Sequence, residues 1–167
     1  MNRREFSALM AASAVALTTT RASAYEEGPV THLPLPRFVS LKGTEGYARR
    51  GPALTQRIDW VFTRNGMPLR LTAEFDHWRR VEDHDGFGGW IHYTLLSGAR
   101  TVLITAPMAA LYSLPETSAP VTAKAEVNVI ARLLSARKEW CRVSAGGESG
   151  WIQKANIWGV DPEEIVN

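Results

Sequence analysis

The densest set of side chains able to do chemistry lies between residues 76 and 85: Asp76, His77, Glu82, Asp83, His84 and Asp85. Imidazoles and carboxylates this close together could ligate zinc or another transition metal. Asp83-x-Asp85-Gly86 faintly resembles a calcium loop but lacks its preceding and terminal ligands. The same composition also describes a solvated hairpin tip, with a weak pH sensitivity from its histidines. That is the simpler reading, and a small metal-dependent enzyme built on His77, Asp83, His84 and Asp85 is the weaker alternative. Cys141 is the only cysteine, so no internal disulfide can form. A thiol nucleophile needs a histidine partner, and His32, His77, His84 and His92 all lie upstream of it. Cys141 therefore reads as a small buried strand residue, and His92, after Gly-Trp-Ile, as a strand residue rather than a base. No nucleophile elbow, phosphate loop or pair of catalytic carboxylates is visible. The sequence points away from catalysis and names no metal or cofactor.

Recognition chemistry is better represented. The chain holds six tryptophans: Trp60, Trp78, Trp90, Trp140, Trp151 and Trp158. Most should serve packing. Those beside arginine and tyrosine have the composition of a binding surface. Trp78 with Arg80, Tyr47 and Arg49 is the leading patch, and Trp90, Trp140 and Trp151 are further candidates. Such a patch would hold a peptide or glycan-peptide by stacking and charge-assisted hydrogen bonds.

These residues recur. Trp78-Arg79-Arg80-Val81 returns as Trp140-Cys141-Arg142-Val143, and Gly89-Trp90-Ile91 as Gly150-Trp151-Ile152. A self-match at a nearly constant offset means two copies of one small unit. Each copy, of roughly 60 residues, is near the lower size limit for an independent core, so the two should pack together.

The elements that position the patch read as short strands. Phe38–Leu41, Ile58–Phe62, the alternating run Leu69–Ala73, Trp78–Glu82 and Gly89–Tyr93 make the first copy. Asn65-Gly66 is a strong turn pair. Thr101–Ile104, a long strand over Val127–Leu134, Trp140–Ser144 and Gly150–Gln153 make the second. Leu111 to Pro115 takes the place of Ala48 to Pro52. In a strand reading Trp-x-x-Val, Trp and Val face opposite sides. Val81 and Val143 should then face a core, with Trp78 and Trp140 outward or into a neighbour. Arg79 shares the parity of Val81, and its counterpart is Cys141, so it belongs at a rim or between the units. The glycines before Trp90 and Trp151 suit a bulge or a close backbone approach.

Residues 1–24 read as a cleaved export signal. Arg3-Arg4-x-Phe6 resembles a twin-arginine signal, and Ala22-Ser23-Ala24 fits the cleavage pattern. Residues 25–37, with three prolines, read as an extended arm, and 161–167 as a tail. Removing the signal takes away Arg3, Arg4, Arg21 and Glu5, which leaves 16 basic and 16 acidic side chains. A net charge near zero lacks the footprint of nucleic-acid binding. No stretch after the signal is long and apolar enough for a membrane helix.

The ordered motifs resemble bacterial SH3-like domains, in the tandem form of exported alphaproteobacterial proteins. The resemblance rests on Pro36-Arg37-Phe38-Val39-Ser40-Leu41, Glu74-Phe75-Asp76-x-Trp78-Arg79-Arg80-Val81, Gly89-Trp90-Ile91-His92 and Leu96-Ser97-Gly98. In the second copy it rests on Ala131-Arg132-Leu133-Leu134, Trp140-Cys141-Arg142-Val143 and Gly150-Trp151-Ile152. It implies an all-β chain of two small β-barrels packed together, at residues 38–98 and 99–160, in a periplasmic or secreted protein. It also implies a non-catalytic binding or scaffold module for an envelope protein or a peptidoglycan peptide. The family motif Asn-Val-Arg-x-Gly-Pro stands here as Tyr47-Ala48-Arg49-Arg50-Gly51-Pro52, and the second copy lacks the Arg-Gly pair. Any groove using that arginine is therefore expected in the first copy. The alternative is a structural protein whose aromatic faces are sealed by each other or by a second copy in a homodimer.

Overall fold

A computed structural model describes residues 25–167; the expected export signal, with Arg3, Arg4, Phe6, Ala22 and Ala24, lies outside the described residues. The arm forms a short hairpin, β1 (Glu26–Glu27) with β2 (Pro34–Leu35). The first copy follows as β3 (Arg37–Leu41), β4 (Gly46–Arg49), β5 (Ile58–Phe62), β6 (Pro68–Phe75), β7 (Trp78–Glu82) and β8 (Gly88–His92). A single 3-10 turn, Tyr93–Leu95, then leads into β9 (Leu96–Ser97). The second copy has β10 (Thr101–Ile104), β11 (Met108–Tyr112), β12 (Val121–Glu126), β13 (Ile130–Ala136), β14 (Trp140–Ala145) and β15 (Glu148–Gln153). A second 3-10 turn, Lys154–Asn156, precedes β16 (Ile157–Trp158).

The strands make two seven-stranded antiparallel sheets in the same order: β5-β4-β8-β7-β6-β3-β9 and β12-β11-β15-β14-β13-β10-β16. Even their irregularities match. The register shifts between Leu71 and Ala73 in one sheet and between Leu133 and Ser135 in the other. Such a bulge bends its strand and increases the local twist. Each sheet can then wrap one face around its own core. In the first, Val39, Leu41, Ala48, Phe62, Leu69, Leu71, Val81 and Ile91 pack together. In the second, Val102, Ile104, Leu111, Leu133, Val143 and Ile152 do the same.

Closed barrels were the expectation, and the sheets depart from it. Among the described residues, no hydrogen-bonded ladder joins the end strands β5 and β9, or β12 and β16. The reason is local. β9 and β16 are two residues long, and β5 is exposed over Ile58–Val61, with only Phe62 buried. Three further strands of four residues or more, β4, β11 and β12, stand where the sequence predicts none, and in the first two Gly46, Ala48, Ala109 and Ala110 carry little β signal. In β4 the small residues face large partners: Gly46 pairs with Phe62, and Ala48 with Trp60. The long strand expected over Val127–Leu134 begins only at Ile130. Asn128 at φ 67° turns the chain there, a conformation Asn tolerates better than most residues.

The two sheets meet around Trp158. Its ring packs edge-to-face on Phe38 at 5.1 Å and on His84 at 5.8 Å. Thr101 Oγ1 donates to the Gly66 carbonyl at 2.6 Å, and Arg64 donates to the Asn128 carbonyl at 2.6 Å.

Candidate functional site

β8 lies between β4 and β7, and Trp90 at its centre is flanked on both sides. Arg49 of β4 and Arg80 of β7 are its direct cross-strand partners. Trp78 lies opposite His92 in the same β7–β8 ladder. By the two-residue period of a strand, Tyr47, Arg49, Trp78, Arg80 and Trp90 share one outer face. The patch expected from sequence is thus assembled on three adjacent strands.

Its members differ in access. Arg80 is exposed and Trp90 half-buried, and Tyr47 is 40% exposed. The Tyr47 hydroxyl donates to Glu45 at 2.8 Å, and that hydrogen bond, with the carboxylate charge, raises the phenol above its ordinary range. Arg49 Nη1 donates to the carbonyls of Leu54 and Gln56 at 3.1 and 2.8 Å, which ties the β4–β5 loop to the edge of the patch. Trp78, expected to face outward or into a neighbour, is only 8% exposed. His92 lies edge-to-face against it at 5.5 Å, so the ring stands on the outer side of the sheet but is covered there.

The glycines work as anticipated. A Cβ on Gly89 would lie 2.5 Å from the Arg49 carbonyl oxygen, and one on Gly150 would lie 2.8 Å from Thr122 Oγ1 and 2.9 Å from Leu111 Cβ. Both positions admit the neighbouring strand only because no side chain is there.

The second copy repeats the row with Tyr112 and Arg142 on either side of Trp151. Here the ring is covered. Arg137 lies over Trp151 at 4.6 Å, and Trp140 is held edge-on by Tyr112 at 5.6 Å. Among the described residues no arginine or lysine is stacked over Trp90. Both rings are half-buried, and they differ in that Trp151 carries a guanidinium and Trp90 does not.

The acidic and histidine cluster does not converge. Asp83 is buried, and its Oδ1 accepts from the amides of Asp85 and Phe87 at 3.0 and 2.9 Å, which is the work of a loop organiser. His84 turns to Trp158, and His77 stacks on His92. Among the described residues no three His, Cys, Asp or Glu are placed to hold a metal ion.

Arg79 lies in the interior of its own sheet. Its Nη1 donates to the carbonyls of Asp76 and Trp78 at 2.7 and 2.8 Å, and its Nε lies 3.7 Å from Glu74. Glu74 in turn receives the arm: the Thr31 hydroxyl at 2.6 Å, the Thr31 and Val30 amides at 2.9 and 3.1 Å, and Arg37 at 2.9 Å. Burial opposes its ionisation, but these hydrogen bonds outweigh burial and hold the carboxyl at about 2. The equivalent pair in the second copy is Ala136 and Cys141. Both are buried there, and burial pushes the thiol up to about 11. Ala136 instead exchanges backbone hydrogen bonds with Val166 of the tail. Arm and tail thus dock at equivalent points of the two sheets.

One feature was not anticipated. Trp60 and Phe87 stack at 4.4 Å with planes 10° apart, and both are exposed. An aromatic residue between Gly86 and Gly88 in a loop was the available signal.

Residues 42–98 and 105–159 each match the Bacterial SH3 domain family. No curated protein matches the chain. Among solved structures, NlpC2 from Trichomonas vaginalis is similar at 16% identity and TM-score 0.34, covering 74% of this chain and 48% of that one. NlpC1 from the same organism is 14% identical at TM-score 0.34, with 78% and 48% covered. An NlpC/P60 family protein from Bacillus cereus is 14% identical at TM-score 0.33, with 72% and 55% covered. The chain spans about half the length of these proteins.

Proposed function

The chain belongs to the bacterial SH3 domain family, and on that footing we propose that it is a non-catalytic exported module that recognises an envelope protein or a peptidoglycan peptide. Residues 1–24 direct export in this reading, and residues 38–98 and 99–160 are the two domains. The single observation that carries the reading is half-buried Trp90 set between Arg49 and Arg80 with, among the described residues, no cation stacked over its ring. A flat aromatic ring offers stacking area at low entropic cost, and guanidinium groups on either side recognise carboxylates. Among the described residues no helix is long and apolar enough to cross a membrane.

The test is capture from envelope extract and from purified sacculi by wild type and by Trp90→Ala. Loss of a defined captured species in the variant, with the fold retained by circular dichroism, supports the reading. Identical capture by the two proteins contradicts it.

Self-association is the second reading, favoured by β5, an edge strand with Ile58, Trp60 and Val61 exposed. An exposed apolar edge is a template for pairing. Sedimentation velocity across a concentration series separates the readings: a monomer at all concentrations removes this one.

A further inference from the structure

A cavity of about 610 Å³ lies at the joint between the two sheets, apart from the Trp90 face. Its size is that of a small-molecule site. Trp158 and Phe38, packed edge-to-face, give it an aromatic wall. Phe38 and Arg70 are cross-strand partners in the first sheet. Lys138 enters from the β13–β14 turn and Asp161 from the tail. Both copies are needed to build it: Trp158 has Ser97 as its counterpart in the first copy, so neither half contains the wall alone.

The charges in this cavity are incompletely matched. Lys154 is committed, because its ammonium donates to the carbonyls of Asp161, Pro162 and Glu164 at 3.3, 2.8 and 2.8 Å and pins the tail as one side of the cavity. Arg70, Lys138, Glu139 and Asp161 form no ion pair among the described residues, and of the two carboxylates Asp161 is half-buried and Glu139 exposed. Burial, and then the charge of Glu164, hold the Asp161 carboxyl above its ordinary range, against the pull of Arg70, Arg100 and Lys154. Unpaired charges of both signs beside an apolar wall call for a ligand that carries both signs and an apolar body.

We propose that this cavity binds a short zwitterionic peptide, its free carboxylate held by Arg70 and Lys138, its free ammonium by Asp161, and an apolar side chain against Trp158 and Phe38. The site is independent of the Trp90 face. Guanidinium and ammonium groups recognise a carboxylate by charge-assisted hydrogen bonds. Partial burial of Arg70 and Asp161 keeps their bonds from being fully screened.

The probe is the tripeptide Ala-Leu-Ala with free termini, titrated into the isotopically labelled full chain. The Trp158 indole N–H resonance is identified by its loss in Trp158→Phe. It should shift saturably, and acetylating the amine or amidating the carboxylate should each weaken binding by about tenfold. Lys138→Gln should weaken binding of the free peptide by about threefold and shrink the penalty of amidation, the remainder being held by Arg70. Asp161→Asn should weaken binding of the free peptide by about tenfold and shrink the penalty of acetylation, and Trp90→Ala should leave the tripeptide's affinity for this cavity as it is. Lys138 is exposed, and an unaltered unliganded spectrum establishes that its variant folds. A silent Trp158 resonance, shifts confined to other surfaces, or equal binding of the free and blocked peptides overturns the proposal.

Discussion

Arg80 stands directly opposite Trp90 on the neighbouring strand, and Arg142 stands in the same relation to Trp151. The two rows share a backbone but differ in surface chemistry, because Arg137 stacks over Trp151 while, among the described residues, no cation stacks over Trp90. Duplication has kept the scaffold of the face twice and a cation-free ring once.

Uncovering the second ring tests that contrast. Arg137→Ala should raise acrylamide quenching of Trp151, measured in a background where the other five tryptophans are phenylalanine, with little change in stability. An exposed cation–π contact contributes about 0.5–1 kcal/mol. Unchanged quenching would mean that Arg137 does not shield the ring.

The arm should fail at low pH through Glu74. Its folded carboxyl titrates at about 2, below the ordinary 4.5. A lowered pKa gives stability that is fully present above pH 4.5 and lost as pH falls toward 2. The contribution is on the order of 3 kcal/mol. Wild type should lose stability over that window in urea melts, and Glu74→Gln should be weaker at pH 7 with a flatter acid limb. Parallel acid limbs would contradict this role.

Cys141 should be inert while the chain is folded. Its side chain is buried and its thiol stands at about 11, so almost no thiolate exists at neutral pH. Labelling by a thiol reagent should track global unfolding across a urea series. Fast labelling without denaturant would place Cys141 nearer the surface.

Trp158 should couple the two halves. Trp158→Ala removes the edge-to-face contacts with Phe38 and His84 and should cost about 3 kcal/mol. Calorimetry should show one transition in wild type and two in the variant. A single transition of unchanged midpoint would mean that the sheets are joined elsewhere.

The duplication was legible in the sequence because Trp78, Val81, Gly89 and Trp90 each have a counterpart at nearly the same offset. The core parity was legible for the same reason: Val81 and Val143 alternate with exposed Arg80 and Arg142. The cover over Trp78 was not legible because parity fixes the side of the sheet and says nothing about what lies over it, and His92 comes from another strand. Arg79 could not be placed because its partner, Glu74, is reached only across the ladder. The Glu74 hub also depends on Val30, Thr31 and Arg37, more than 35 residues away. The missing barrel closure depends on how short β9 is, and a two-residue strand after a 3-10 turn has no periodicity to read.

The most direct measurement compares Arg80→Glu with Arg142→Glu, two charge reversals at equivalent positions of the two copies. Both proteins are applied to the envelope fraction that wild type captures, and the bound amounts are compared. Arg80→Glu should lose binding by about tenfold or more, while Arg142→Glu binds as wild type does. Equal loss in both, or loss only in Arg142→Glu, would contradict a recognition face on the first copy.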